Sequence, residues 1–412
     1  MTIPEAPDRI EPARIESPGG ELLDLSLEVV AKAELLGRAL HPETAGQLAR
    51  TVRIMNTYYS NLIEGHNTRP REIEQALGGI KPEDVRRDLK IEAVAHYRVQ
   101  QHIDEQAAAG TLPDPASLDF IRQLHRAFYT GATEKMLTIA GKAHSFIMVP
   151  GEWRQGQEQD VELGRHLPPA SNRVPDFMAY FHRRFAFEPA PGEAMLAVGR
   201  SRSARLFAMA TAHHRFNYIH PFPDGNGRVS RLMSHAMAHA AGVGAHGLWS
   251  IARGLARGLA GGPEGRAEYK QQMAWADEQR QGDRDGRGNL SLRGLELFTA
   301  WFLRVCVDQL DYMAGLFDLE TLGGRLKRYV DRHETLPAEA TRLLQEALIR
   351  GAFDRGEAPR ITGLPERSAR RVLKALAEEG LLASTTEKGP VSLRFPAHTL
   401  DILFPRLYPE GV

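Results

Sequence analysis

The sequence predicts a mainly α-helical protein that ends in a small winged helix-turn-helix unit. Three observations carry that expectation. Apolar residues recur at helical spacing from about Glu21 to Gly242, with Pro and Gly as punctuation. Strand signals are nearly absent over that stretch. Near the end, Val391, Leu393 and Phe395 alternate with Ser392 and Arg394 in the two-residue period of a strand.

At ~150 residues per domain, 412 residues favour two or three domains. A composition of 42% hydrophobic and 25% charged residues can bury a core and excludes wholesale disorder. Lys plus Arg (52) equals Asp plus Glu (52), so no overall field draws the chain to nucleic acid or to an anionic membrane. Cys306 is the one cysteine and lies in an apolar run, which leaves no intrachain disulfide and no thiolate cluster. The first sixteen residues lack a basic start with an apolar core, and no long stretch is free of charge; a cytoplasmic chain with no membrane contact is expected.

Four prolines and Gly19-Gly20 keep residues 1–20 from propagating a helix, which predicts a flexible arm. Residues 21–110 read as an amino-terminal helical region in which Pro42 starts a helix that Gly65 stops. Further helices are expected from Pro82 and from Pro115. Residues 111–320 form the expected central domain. Within it, Pro150, Gly151, Gly156, Gly164, Pro168 and Pro169 make the stretch from Phe146 to Leu167 a loop or short hairpin, and helices resume from Pro175, Gly192 and Val229. Residues 279–289 are polar and glycine-rich. Counted from Asp283, an EF-hand loop needs Gly at position six and Glu at twelve; those places hold Gly288 and Gly294, so a solvated turn is the better reading. Residues 334–412 change texture: Pro337 and Pro365 open two helices, Gly380 ends the second, and residues 381–384 can pair with the strand at 391–395.

The stretch HPFPDGNGRVSR, residues 220–231, carries the chemistry. A glycine-rich turn that opens a helix aims free N–H groups at one point, and that point attracts an anion. Gly225 and Gly227 supply the turn. Arg228 and Arg231, three apart on the first helical turns, can fork onto phosphate oxygens from two directions. Asn226 offers an amide donor, Asp224 a hard carboxylate for nucleotide-bound magnesium, and His220 a proton acceptor at neutral pH. Each residue alone has a bland reading, as a structural histidine, a simple turn or a solvated arginine. Together they make a kit for transferring a phosphorus group to a hydroxyl, and no P-loop motif competes.

The same twelve residues resemble the signature of the Fic family, and HHRFNYIHPF resembles the family's approach to it. The resemblance implies a Fic-type helical bundle with a short β-hairpin flap. The implied reaction moves AMP from ATP, with Mg2+ as cofactor, to a Ser, Thr or Tyr hydroxyl of a target protein, this chain included. His220 is then the base and Asp224 the metal ligand. Gly225, Asn226 and Gly227 hold the inner phosphates, with Arg228 and Arg231 on the outer ones. SNLIEG, residues 60–65, resembles the inhibitory helix of some Fic proteins, which makes Ser60 and Glu64 inhibitory through capture of Arg231. PGEWR, from Pro150, resembles the start of the flap that docks the target by strand addition; Val161 is the candidate docking residue, and Trp153 is contact or core. Tyr269 stands where the adenine pocket draws an aromatic residue.

Glu64 and Ser60 share a helix face at i, i+4. Glu64 sits where the negative end of the helix dipole disfavours a carboxylate, so a cationic partner is expected. In the last unit, six basic residues from Arg355 to Lys374 face two acids; this is either a phosphate-facing helix that binds DNA or a solvated face on an interaction module. Two further readings stay open: removal of AMP by the same residues, and a DNA-binding regulator whose Fic domain senses nucleotide. So does homodimer formation.

Overall fold

Helix boundaries follow the capping and proline signals of the sequence. In the computed structural model, residues 5–79, 86–140, 145–164, 166–188, 198–261, 264–405 and 407–408 are described. The amino-terminal helices are α1 (Gly20–Arg38), α2 (Pro42–Ile63), α3 (Pro70–Leu77) and α4 (Arg87–Ala108). Pro occupies the first position of α2 and α3, where its missing N–H costs nothing. Next come α5 (Leu118–Phe128), the short α6 (Glu134–Leu137), strands β1 (Thr138–Ala140) and β2 (Ser145–Ile147), then α7 (Val174–Phe185), α8 (Arg202–Ile219) and α9 (Asn226–Ala240). Helices α10 (Ile251–Arg257), α11 (Gly265–Ala276), α12 (Leu292–Phe317) and α13 (Leu319–Arg332) complete the bundle. Ser117, Ser291 and Asp318 cap α5, α12 and α13 by accepting a backbone N–H of the first turn, which satisfies one orphan donor of each helix.

Helix α8 is buried from Leu206 almost without interruption to Ile219, and α1, α7, α9 and α12 pack around it. Its interior polar groups are paired, as burial requires. His213 bonds Ser234 and Tyr269, while Arg215 donates to the carbonyls of Pro12 and Ala276. Helix α12 lies along α1 and also touches α10 and α11, and buries Cys306 completely.

The carboxy-terminal elements are α14 (Ala340–Arg350), β3 (Ala352–Phe353), α15 (Ala358–Thr362), α16 (Glu366–Glu378), β4 (Leu382–Ala383), β5 (Val391–Leu393) and α17 (Leu400–Leu403). The strands form an antiparallel sheet of order β3-β5-β4, with Leu382 opposite Leu393 and Phe353 opposite Val391. Ala369, Val372, Leu373 and Leu376 form the buried face of α16.

Several expectations are corrected. The segment at 1–20, expected to be a flexible arm, is packed where it is described: Ile10 and Ala13 are fully buried, and the Glu11 carbonyl accepts from the N–H groups of Asn289 and Leu290. The prolines limit the segment to one 3-10 turn (Pro7–Ile10) before α1 but do not prevent packing. The hairpin is β1–β2, with Thr138 opposite Ile147, so it precedes most of the stretch where it was expected. Residues 148–164 instead form a loop with one 3-10 turn (Gln157–Gln159), and half-buried Val161 follows that turn outside the paired strands. The helix expected from Pro337 to Phe353 stops at Arg350, because Gly351 takes φ +80° and Phe353 joins the sheet. The helix starts expected at Pro82 and Gly192 lie outside the described residues. The turn at 279–289 is organised by Asp285, which accepts from the N–H groups of Gln281 and Arg293.

Candidate active site

Helix α8 ends at His220, whose backbone sits in the left-handed region (φ 51°, ψ 61°). A non-glycine residue there is strained and needs support. Arg154 supplies it. This fully buried guanidinium donates from Nε to the His220 carbonyl at 2.7 Å, from Nη2 to the carbonyls of Pro169 and Ile219, and from Nη1 to Ser171 Oγ. Burial, followed by the nearby charge of Arg154, pushes the His220 imidazole down to about 4, so it is neutral at pH 7 and able to accept a proton.

The chain then turns through residues 221–225 into α9. Gly225 caps the helix at φ +79°, and a Cβ there would come within 2.9 Å of the Tyr129 hydroxyl, so glycine is required on both counts. Asn226 does not present its amide to an anion as the sequence suggests. Its Oδ1 accepts from Phe222 N at 2.9 Å and its Nδ2 donates to Phe222 O at 2.8 Å, which closes the turn. What Asn226 can still offer a ligand is its backbone N–H at the start of α9. Half-buried Trp153 packs on Phe222 with 4.7 Å between ring centroids.

Asp224 Oδ2 accepts from the Tyr129 hydroxyl at 2.7 Å and from Arg228 Nη2 at 3.0 Å. Burial alone would raise its pKa, but the Arg228 charge and the Tyr129 hydrogen bond hold it below the ordinary value. His125 fixes the same turn from behind. Its Nδ1 accepts from Gly151 N at 2.8 Å, which leaves Nε2 to donate to the Asp224 carbonyl at 3.1 Å.

The two arginines both have carboxylate partners. Arg228 Nη1 lies 3.1 Å from Glu92 Oε2, which also meets His66 Nδ1 at 2.9 Å. Arg231 Nη2 donates to Glu64 Oε1 at 2.6 Å, and its Nε to Ser60 Oγ at 2.9 Å. Glu64 is the C-cap of α2. Burial would raise its pKa, yet Arg231 and then Arg228 bring it below the ordinary value. A Cβ on Gly227 would lie 2.5 Å from Glu64 Oε1, so this carboxylate covers the glycine turn itself. Ser60 serves Arg231 directly, not the glutamate, and the Glu64 pairing uses one hydrogen bond.

Thus His220, Asp224, Gly225, Gly227, Arg228, Arg231, Ser60 and Glu64 converge. Tyr269 is buried, with its hydroxyl on His213 Nε2 at 2.8 Å and its ring stacked over Trp301 at 6.1 Å. Sequence reasoning missed Tyr129, Glu92, His66, His125 and Arg154. Of these only Arg154 carried a signal, as the arginine of PGEWR.

The Fic/DOC family model matches residues 115–238, which include all of 220–231. The chain is similar to Protein adenylyltransferase Fic of Aedes aegypti, 33% identical over 98 residues, and to the protein of that name in Drosophila mojavensis, 37% identical over 93 residues. Each match covers 22% of this chain and 16% of the relative, so it spans under a fifth of those proteins. A Fic family protein from Desulfovibrio desulfuricans G20 aligns over 92% of this chain and 97% of its own, with TM-score 0.49 and 16% identity. A Fic domain containing signaling protein from Bacteroides thetaiotaomicron VPI-5482 aligns over 70% and 95%, with TM-score 0.49 and 19% identity. In residues 115–238 the chain carries a domain of the Fic/DOC family.

Proposed function

We propose that the protein transfers AMP from ATP to a Ser, Thr or Tyr hydroxyl of a target protein, and that Glu64 holds this activity in check. One observation carries the reading: an ionised carboxylate lies over Gly227 and on Arg231, in a cradle of helix N–H groups and guanidinium suited to phosphate. Neutral His220 accepts the hydroxyl proton as the oxygen attacks the α-phosphorus. The bond from that phosphorus to the bridging oxygen breaks, and pyrophosphate leaves. Arg228 and Arg231 hold the outer phosphates once Glu92 and Glu64 give them up. Asp224, an ionised hard-oxygen donor, would hold Mg2+, which supplies charge neutralisation on the phosphates.

The test is labelled ATP with a lysate and the full chain. Transfer by Glu64→Gly, and none by Glu64→Gly with His220→Ala, supports the reading. Loss of ATP affinity in His220→Ala equal to its loss of transfer would count against the base role. If Glu64→Gly transfers nothing while the unaltered protein removes AMP from a modified target, the reaction runs in the other direction.

A further inference from the structure

Helix α9 carries a second pair of residues that the cradle does not use. His235 and His239 are four apart and so share a face, beyond Arg231 along the helix. Asp104 of α4 stands opposite. Its Oδ1 lies 2.6 Å from His235 Nε2 and 3.0 Å from His239 Nε2, and the three groups' ligand atoms all fall within 4.8 Å of one another. The other oxygen, Oδ2, accepts from Arg53 Nη1 at 2.8 Å. Gly247 (φ +76°) closes the site from the far side, since a Cβ there would come within 3.1 Å of Oδ2. The two imidazoles meet edge to face, 4.8 Å between centroids.

Two imidazole nitrogens aimed at one carboxylate oxygen permit two chemistries. Without a cation, each Nε2 carries a hydrogen and both donate to the same oxygen. With one, the two lone pairs and the oxygen converge on the ion. Metal–nitrogen and metal–oxygen bonds near 2.1 Å put adjacent ligand atoms about 3 Å apart; Asp104 Oδ1 already stands at 2.6 and 3.0 Å from the two nitrogens, and the imidazoles, whose nitrogens lie within 4.8 Å of each other, close toward one another to share one ion. Arg53 on the second oxygen then plays the part of an outer partner that orients a ligating carboxylate. Two imidazoles and one carboxylate suit borderline transition ions and not Ca2+ or Mg2+, which prefer all-oxygen shells.

We propose that Asp104, His235 and His239 bind one divalent transition-metal ion of the zinc class, joining α4 to α9 behind the nucleotide cradle. The site is separate from Asp224 and does not depend on the proposed reaction. Its ligands are nearly buried, with Asp104 10% and His239 9% exposed in their side chains.

The test uses the full chain, stripped with chelator and carrying Asp224→Ala to silence the catalytic carboxylate. Calorimetry with Zn2+ is expected to give one equivalent bound with micromolar affinity or better. His239→Gln keeps an N–H that can donate to Asp104 but removes the imidazole lone pair, and should weaken binding at least tenfold; His235→Gln should do the same. No saturable Zn2+ binding, or binding unchanged in both variants, overturns the site and leaves a structural hydrogen-bond network. Should the variants fail to fold, Co2+ added to the stripped protein decides: imidazole-ligated absorption bands, lost on adding Zn2+, support the site, and the spectrum of the hydrated ion overturns it.

Discussion

Glu64 Oε1 lies 2.6 Å from Arg231 Nη2, across 167 residues of chain. The pair joins the end of α2 to the second turn of the helix that opens the cradle. A guanidinium so occupied is unavailable to an outer phosphate, and the competition has a readable energy. If closed and open forms differ by ~2 kcal/mol, only a few per cent of molecules are competent, and Glu64→Gly should raise self-modification on the order of tenfold or more. Arg231→Ala in the Glu64→Gly background should abolish the gain, because activation works by freeing Arg231. Unchanged labelling in Glu64→Gly on a verified target would remove the inhibitory role.

The pH dependence of two contacts should run in opposite directions. Glu64 has a depressed pKa, so its pairing is whole above the ordinary Glu value of about 4.3 and is lost only as pH falls through the lower folded value. Inhibition should therefore stay constant between pH 6 and 8. His66 has a raised pKa, chiefly through its hydrogen bond to Glu92. Its contribution to stability is whole below about pH 6.5 and is lost as pH rises through the raised folded value. Thermal unfolding should show the unaltered protein losing more Tm than His66→Gln on going from pH 6 to 9. Parallel curves would rule out the contact.

Tyr129 positions Asp224. Tyr129→Phe removes a 2.7 Å hydrogen bond to a half-exposed carboxylate, which should cost about 1 kcal/mol of stability and raise the Mg2+ concentration needed for half-maximal transfer. Fold and ATP affinity should otherwise persist. An unchanged magnesium titration would show that Arg228 alone suffices to hold the carboxylate.

Arg154 should behave as a structural staple with a catalytic consequence. Arg154→Met leaves the carbonyls of His220, Pro169 and Ile219 without their donor and should cost about 3 kcal/mol or more. Lys cannot reach those acceptors from one planar fork, so Arg154→Lys should restore only part of the Tm and of the transfer rate. Full rescue by Lys would reduce Arg154 to a buried charge.

What the sequence could disclose follows from how far apart the cooperating residues lie. His220, Asp224, Gly225, Arg228 and Arg231 fit within four turns of helix and loop, so spacing alone brings them together. Glu64 had a physical hint in its place at a helix end, but its partner came only from the resemblance. Tyr129 at the end of α5 and Glu92 on α4 are ordinary residues, and no local pattern marks them; only the packing of those helices beside α9 turns them toward Asp224 and Arg228. Residues 7–15 were misread for the same reason. Their prolines argue against helix, whereas burial of Ile10 and the bond from Arg215 to Pro12 O depend on distant helices.

Every candidate catalytic group precedes the carboxy-terminal unit, so position in the chain alone would make that unit dispensable for self-modification. The contacts of α2 argue otherwise. Thr44 donates to the Leu348 carbonyl, Tyr59 donates its hydroxyl to Leu407 O at 3.1 Å, and the rings of Tyr58 and Tyr408 meet edge to face 5.5 Å apart. The helix that ends in Glu64 is thus braced along its length by residues after 340. Losing that brace should loosen α2 and favour release of Arg231, so Tyr408→Ala with Tyr59→Phe should raise self-modification severalfold, and deletion after Glu334 should raise it further in a chain that stays folded by circular dichroism. In the Glu64→Gly background the same changes should add nothing, since the latch is already gone. DNA contact by α16 is measured on the same proteins. Glu366 and Glu378 pair with Arg370 and Lys374, and Arg360 pairs with Glu346 and Glu357, while Arg355, outside α16, donates to the Gly389 carbonyl; among the described residues of α16, Arg367 and Arg371 are left as candidates for phosphate contact. Their replacement by Ala should flatten any salt dependence of binding to duplex DNA by about two counterions. If duplex binds with that salt slope and also raises labelling, the brace is the route; if truncation leaves labelling at the starting level, α2 holds Glu64 in place without it.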